Sequence, residues 1–220
     1  MENKKLQVAF AATNKEWDEV IPQLVETDSV KDYVLYGKDN QYPEYLYGLY
    51  NDVSTLKTII EGIADYVIGN AVKCNIKGFE TQINTKGDTL RELVRLCARD
   101  YLLYGGYAIQ IIRNKVGDVR ELYYMDFRYI RSSKKNDMFW YSEDFSKKYV
   151  RGNKTVVYPK FIPDARKVAS SILYVSNNKS TTYPIPRYSG SIKACEMERA
   201  IDTYQLSSIE NGFGGSYIIN

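Results

Sequence analysis

The hydrophobic pattern of the chain changes its period at the pair Gly105–Gly106, and this change constrains the fold more than any other feature. Before the glycines, apolar residues recur at helical spacing over residues 90–102. After them, apolar and polar residues alternate over residues 107–113 and 119–125, as they do in β-strands. Gly117 lies in the turn between these two runs. The chain is therefore predicted to pass from a helix directly into a β-hairpin.

The same two patterns recur along the rest of the sequence. The predicted helices, with Asn14, Ser54 and Asp88 as N-caps of three of them, are 15–26, 43–50, 54–68, 88–104 and 191–210. The further predicted strands are 71–76, 127–130, 138–141, 154–158, 171–175 and 216–220. Helices come first and strands follow, which favours an α+β fold in which helices pack on an antiparallel β meander.

Helical spacing also predicts which side chains form the core between the helices and the sheet. The predicted core residues are Leu56, Ile59, Ile63, Leu93, Cys97 and Ile201. In the last helix, Tyr204 and Ile209 are likewise expected to face inward.

Composition excludes several kinds of catalytic site. The 220 residues include no histidine, so Ser–His–Asp and Cys–His catalysis and histidine-ligated zinc are excluded. The three cysteines, Cys74, Cys97 and Cys195, show no C-x-x-C spacing and predict no zinc site. A net charge of +3 is too small for a dedicated nucleic-acid-binding protein. We expect no enzyme activity and no cofactor.

Two functional alternatives remain open at this point. Asp100, Glu121 and Asp126 could act as dispersed metal-binding acids of a nucleic-acid enzyme, although their spacing matches no metal motif. The 21 tyrosines suit a binding module of a tail or an adhesin, or they simply fill the strands of a half-exposed sheet. No stretch of 18 apolar residues occurs, so no membrane partner is expected.

A Pro-rich connector over residues 183–188, Tyr-Pro-Ile-Pro-Arg-Tyr, precedes the last helix. Each residue before a proline is disfavoured in the helical region, so the connector is predicted to be extended. It is interpreted as a stiff link from sheet to helix, with a polyproline recognition segment as the alternative. Its aromatic and proline residues are the candidate interface residues: Tyr183, Pro184, Pro186 and Tyr188.

Four segments, taken in order, resemble phage portal proteins, particularly those of phages and prophages of Bacteroides-type hosts. The first, residues 36–46, carries the pattern G-x-x-N-x-Y-P, and the second is the helix end at residues 64–70. The third is residues 98–108, followed by the hairpin strand ending in Glu-Leu-Tyr-Tyr-Met-Asp at Asp126. The fourth is the connector, which leads into a helix ending at residues 211–213.

The resemblance implies a structural subunit of a dodecameric ring at one capsid vertex, in the virion, assembled in the host bacterial cytoplasm. It implies as partners other copies of the chain, the major capsid protein, the large terminase and a head–tail adaptor. Genome DNA would pass through the channel without sequence-specific binding. Residues 1–35 would form an N-terminal helical arm, and residues 36–220 a wing-like α+β domain, truncated before the stem and clip of such proteins.

Overall fold

The computed structural model describes residues 22, 24, 26–28, 33–70, 72–76, 78–79, 81–145 and 155–211. Over these residues the chain forms four α-helices: α1 (Tyr42–Asp52), α2 (Ser54–Ile68), α3 (Leu90–Tyr104) and α4 (Ile192–Glu210). It also forms eight strands: β1 (Glu26–Asp28), β2 (Val34–Tyr36), β3 (Gly106–Arg113), β4 (Val119–Met125), β5 (Ile130–Ser132), β6 (Met138–Tyr141), β7 (Val156–Pro159) and β8 (Ser170–Ser176). Short 3₁₀ helices occupy Phe127–Tyr129 and Ser189–Ser191.

The α+β class predicted from the sequence is confirmed, but the strands do not form one meander. Among the described residues, β1 and β2 form a two-stranded ribbon, and the other strands form two three-stranded sheets, β4–β3–β8 and β5–β6–β7. All the strand pairs within these sheets are antiparallel. Strand β8 returns to pair along β3, with Ala108 opposite Tyr174. This long-range pairing was not predicted because the alternation within a strand does not identify its neighbours.

The transition from α3 to β3 confirms the predicted change of period. Thr89 caps the helix: its side chain accepts the Glu92 amide, while the Glu92 carboxylate accepts the Thr89 amide. The N-cap is thus one residue later than the predicted Asp88. At the other end Gly105 adopts the left-handed conformation with φ 87°, which ends the helix, and β3 begins at the next residue.

The predicted core is half right. Leu56, Leu93 and Cys97 are buried, whereas Ile59, Ile63 and Ile201 are exposed. Helix α2 buries the row Leu56, Ile60, Ala64 and Ile68, and α4 buries Ile192 and Glu196 near its start. The apolar face of α2 is wider than the surface that covers it. The spacing of apolar residues identifies the apolar face of a helix, but not how much of that face other elements bury.

Other boundaries differ from the predictions in detail. Helix α2 is capped by Val53, and Ser54 is its first residue, without a side-chain cap hydrogen bond. Residues 72–76 contain no strand, and a 3₁₀ turn replaces the first part of the strand predicted at 127–130. The predicted helix 15–26 lies outside the described residues apart from 22, 24 and Glu26, which belongs to β1. The strand predicted at 216–220 also lies outside them, and the predicted domain boundary after residue 35 falls inside β2.

Candidate interface surfaces

The connector over residues 183–188 packs into the protomer through Tyr183, Pro184, Pro186 and Tyr188, while Ile185 and Arg187 are exposed. Tyr183 is fully buried, and its ring stacks on Tyr36 with the ring centroids 4.0 Å apart. The Tyr36 hydroxyl donates to the Pro184 carbonyl at 3.2 Å, and the Ser132 amide donates to the Tyr183 hydroxyl at 3.0 Å. Tyrosine suits this place because its ring adds apolar area while its hydroxyl satisfies buried backbone groups. The connector therefore joins β2 to β5 across the core.

The structure thus corrects the predicted exposure of the connector. Tyr183, Pro184 and Pro186 are buried in the protomer, so as exposed interface residues these three are a wrong prediction. Aromatic and proline content indicated a surface, but the same residues fill an internal gap equally well. Tyr188 is partly buried and its hydroxyl donates to the Leu103 carbonyl at 3.0 Å. A subunit or capsid contact of Tyr188 stays a prediction.

Two glycines allow the connector to lie so close to α3 and β3. A Cβ at Gly105 would lie 2.6 Å from the Ile185 carbonyl oxygen, and one at Gly106 would lie 2.5 Å from the Val175 carbonyl oxygen. Real Cβ contacts are not that short, so both positions require glycine. Sequence reasoning identified the pair only as a helix stop. The second glycine could have indicated this close approach, because a single glycine is enough to end a helix.

The G-x-x-N-x-Y-P pattern has a structural role at the corner between β2 and α1. Gly37 has φ 88°, and a Cβ there would lie 2.7 Å from the Tyr42 Cβ. Asn40 has φ 64° and accepts the Tyr36 amide on its Oδ1 at 3.0 Å. Pro43 lies in the first turn of α1, where no intrahelical amide is needed. The pattern thus builds a tight turn before a helix.

Arg131 on β5 is buried and fixes this corner to the second sheet. Its Nε donates to the Asn40 Oδ1 at 2.5 Å, and its Nη2 donates to the Asn40 carbonyl at 2.6 Å. Its Nη1 donates to the carbonyls of Arg128 and Ile130 at 2.7 and 2.8 Å. Burial lowers the pKa of the Arg131 guanidinium below its usual value. The sequence motif contained Asn40, but nothing in the sequence indicated its distant arginine partner.

Asp100 on α3 is a second buried charged group. Its Oδ2 accepts the Tyr124 hydroxyl at 2.7 Å, and its Oδ1 accepts Nη2 of Arg99 at 3.2 Å. Burial raises the pKa of the Asp100 carboxyl to about 7, although Arg99 and Tyr124 favour its ionised form. Arg99 also donates to the Tyr124 hydroxyl at 2.9 Å. These contacts hold α3 on β4.

The three acids considered as metal ligands are engaged in separate contacts. Asp126 binds Arg128 with an Nη2 to Oδ2 distance of 2.7 Å, and Glu121 accepts the Tyr123 hydroxyl at 2.8 Å. Asp100 is bonded to Tyr124, as described above. Over the described part of the chain, no group of three or more His, Cys, Asp or Glu residues is placed to hold a metal ion.

Helix α2 exposes an apolar stripe along its outer side. Ile59 is 54% exposed, Ile63 43% and Tyr66 87%, at positions i, i+4 and i+7. These positions share one helix face. Gly62 lies between them, and a Cβ added there would have no atom within 4 Å. We call Ile59, Gly62, Ile63 and Tyr66 the α2 stripe.

Helix α4 exposes a stripe with the same spacing. Met197 is 56% exposed, Ile201 51% and Tyr204 74%. Ala200 occupies the position that Gly62 has in α2. Ile201 lies nine residues after the buried Ile192, which at 100° per residue puts it on the opposite face. We call Met197, Ala200, Ile201 and Tyr204 the α4 stripe.

The two halves of α4 differ in their surroundings. In the first half, the Tyr45 hydroxyl donates to Glu196 at 2.7 Å, and Arg199 forms an ion pair with Asp52 at 3.5 Å. From residue 200 to residue 210 every residue except the partly buried Ser208 is exposed. One hydrogen bond and one ion pair hold the start of α4 on α1, whereas its second half is exposed. Over the described residues, no helix is long and apolar enough to span a membrane.

The fold is similar to that of chains in solved gene transfer agent particles. One, in the virion of the native particle, aligns with a TM-score of 0.58 at 12% identity, over 76% of this chain and 45% of that one. Another, in the neck of the native particle computed with C12 symmetry, aligns with a TM-score of 0.57 at 12% identity, over 77% and 46%. A third, in the neck of the empty particle computed with C6 symmetry, gives 0.51 at 13% identity, over 78% and 47%.

These similarities establish a shared fold, and the chain spans about half the length of the structures that it matches. No protein-family model and no curated protein sequence matches the chain.

Proposed function

We propose that the chain is part of a structural subunit of a phage-type head–neck assembly, and specifically of a portal ring. The observation that carries the proposal is the fold shared with a chain in a particle neck computed with C12 symmetry. In this proposal residues 36–220 form a wing-like unit with residues 1–35 as an arm, and the subunit has no catalytic role. The ring belongs to the virion and is assembled in the host bacterial cytoplasm.

The surface of the protomer supports this proposal. Soluble monomers rarely expose contiguous apolar patches beyond a few hundred Å². Here two helices each expose a row of large apolar residues, including Tyr66 and Tyr204. Repeated contacts between different surfaces of identical subunits generate a ring when the rotation closes. The proposed partners beyond other copies are the major capsid protein, the large terminase and a head–tail adaptor, with genome DNA passing through the channel.

The electrostatics fit a channel component that does not read DNA sequence. The net charge of the chain is only +3, which gives little overall attraction to the phosphates of DNA. Strong sequence-independent binding needs several lysines or arginines free to contact phosphates. We expect weak DNA binding that disappears at moderate salt.

The test is mass photometry with negative-stain microscopy on the purified product of the complete gene. The proposal predicts closed rings with a central channel. A monodisperse monomer at every protein concentration would contradict it. Titration with a divalent metal in a calorimeter distinguishes this proposal from the alternative of a metal-dependent enzyme. The enzyme would bind the metal saturably, and an Asp126→Asn variant would lose that binding.

A further inference from the structure

Three loops that are separate in sequence lie next to one another at one rim of the sheets. They are the β3–β4 turn at residues 114–118, the β5–β6 turn at residues 133–137, and residues 160–167 between β7 and β8. The Lys160 amide donates to the Asp137 carbonyl at 2.9 Å, which joins the second loop to the third. We call these three loops the basic rim.

The buried Arg113, at the end of β3, joins the first loop to the third. Its Nη1 donates to the Gly117 carbonyl at 2.8 Å, and its Nη2 donates to the carbonyls of Ile162 and Pro163 at 3.1 and 3.0 Å. Gly117 has φ 100°, and a Cβ there would lie 2.5 Å from the Arg166 Cβ, so glycine lets the third loop lie on the turn. The basic rim is therefore held in shape before anything binds, which lowers the entropy lost on binding.

The basic rim carries as much net charge as the whole chain. It contains six lysines and arginines against the three aspartates Asp118, Asp137 and Asp164, an excess of three, and the chain has a net charge of +3. The six cations are all exposed: Lys115, Lys134, Lys135, Lys160, Arg166 and Lys167. In the sequence they occur only singly or in pairs, so the fold creates the cluster. A basic patch at one rim is typical of a surface that binds a polyanion.

The cations of the basic rim differ from those on the helical side of the protomer. There, Arg95 on α3 forms ion pairs with Glu61 and Asp65 of α2. By contrast, none of the ion pairs formed within the described part of the chain involves Lys115, Lys135, Lys160, Arg166 or Lys167. An external anion would therefore not have to displace a described carboxylate from these five side chains.

We propose that the basic rim binds the phosphate backbone of duplex DNA without reading its sequence. This inference deepens the proposed function and rests on it for the choice of polyanion, because a subunit through which the genome passes meets DNA. Five of the six cations are lysines, whose ammonium groups contact phosphates as point charges. Single strands are bound by aromatic rings on which bases stack. The one aromatic residue of the rim, Phe161, instead packs on the Arg113 guanidinium, 4.9 Å from its ring centroid, which favours a duplex.

Fluorescence anisotropy with a short labelled DNA duplex and the purified product of the complete gene tests this binding. Affinity should be the same for duplexes of different sequence and should fall as the salt concentration rises. A double variant, Lys135→Glu with Lys160→Glu, should bind the duplex at least about tenfold more weakly at low salt. The slope of log affinity against log salt should also become shallower by about 0.9 for each phosphate contact that is lost.

The matched control is a double variant with the same change in net charge outside the basic rim. Lys73→Glu with Lys179→Glu reverses two exposed lysines and should keep the affinity within about twofold of the parent. All four substitutions are at exposed positions, so the thermal midpoints of both double variants should match that of the parent. Equal losses of affinity in the two double variants would show that overall charge governs binding and would overturn the proposal.

Two further results separate the possible anions and the two proposals. Poly-L-glutamate that binds as tightly as the duplex at equal charge concentration would assign the basic rim to an acidic protein surface and overturn its assignment to DNA. Mass photometry on the same samples measures ring formation independently. Rings that bind no duplex at low salt would overturn this inference and leave the proposed function intact. Duplex binding that the rim variant loses, by a protein that forms no rings, would support the rim and contradict the portal ring.

Discussion

The connector and the second half of α4 are close in sequence, yet they differ in burial. The connector at residues 183–188 carries two prolines and two tyrosines that are all buried or partly buried, with the Tyr183 ring stacked on Tyr36. The second half of α4 has apolar residues at helical spacing and is almost entirely exposed. The sequence predicted the reverse for both. Residue type and periodicity identify which surfaces are apolar. Whether an apolar surface is buried depends on contacts with residues that are distant in sequence.

The difference is also one of hydrogen bonding. The connector has no secondary structure, and its polar groups are satisfied by distant partners such as Ser132 and Asn177. Helix α4 satisfies its own backbone, so its second half persists without neighbours. A buried irregular segment therefore needs specific hydrogen-bond partners, whereas a helix bonds its own backbone and can stay exposed. The following predictions test this contrast.

The largest expected effect is the loss of the Tyr183 ring. Tyr183→Ala removes a fully buried ring and its hydroxyl, so the free energy of unfolding should fall by about 3–5 kcal/mol. Tyr204→Ala is the matched control on α4, where the exposed side chain should change stability by less than about 0.5 kcal/mol. Urea denaturation of both variants measures this. Equal losses would break the contrast between connector and α4.

A second pair of variants compares a buried helical residue, Leu93, with an exposed one, Ile63. Leu93→Ala removes a side chain buried between α3 and the sheet and should cost about 2–5 kcal/mol. Ile63→Ala on the α2 stripe should cost less than about 0.5 kcal/mol in the unassembled protomer. The thermal midpoints of the two variants provide the check. A large loss for Ile63→Ala would mean that the α2 stripe is part of the protomer core.

The third prediction concerns the corner that supports the connector. Asn40→Ala removes the Oδ1 that accepts both the Arg131 Nε and the Tyr36 amide, whereas the Asn40 carbonyl that accepts the Arg131 Nη2 remains. The loss should cost about 2 kcal/mol. Asn51→Ala, at an exposed position of α1, is the control and should be neutral or slightly stabilising. Chemical denaturation distinguishes them. A neutral Asn40→Ala would show that Arg131 does not depend on this amide.

The most gradual expected effect is a pH dependence from Asp100, spread over the pH range between its unfolded and folded pKa values. Because the folded pKa of about 7 exceeds the unfolded value of about 4, the folded state holds a proton that the unfolded state has lost between these values. Stability should therefore fall as pH rises through this window, by at most about 1.4 kcal/mol per pH unit, and level off above it. Asp100→Asn should remove this decline, while Asp202→Asn on exposed α4 should keep it. Denaturation midpoints across pH test this, and an unchanged decline in Asp100→Asn would refute it.

The sequence predicted local structure well where one segment determines it. The change of period at Gly105 placed α3, β3 and β4 correctly, because capping, spacing and turn residues act within a few positions. It failed for the pairing of β8 with β3 and for the burial of Tyr183, which depend on residues far apart in the chain. The exposure of the α2 and α4 stripes was missed for a related reason. Ile59, Ile63 and Ile201 were assigned to the core, since apolar spacing is the same whether a helix faces its own core or a partner.

Hydrogen exchange measured on the assembled protein and on the unassembled protomer tests the central claim most directly. The account predicts that assembly slows exchange at residues 59–67 and 200–210 and leaves residues 183–188 unchanged, because only the first two regions gain a partner. Assembly that protects neither helix, or that protects the connector instead, would contradict it.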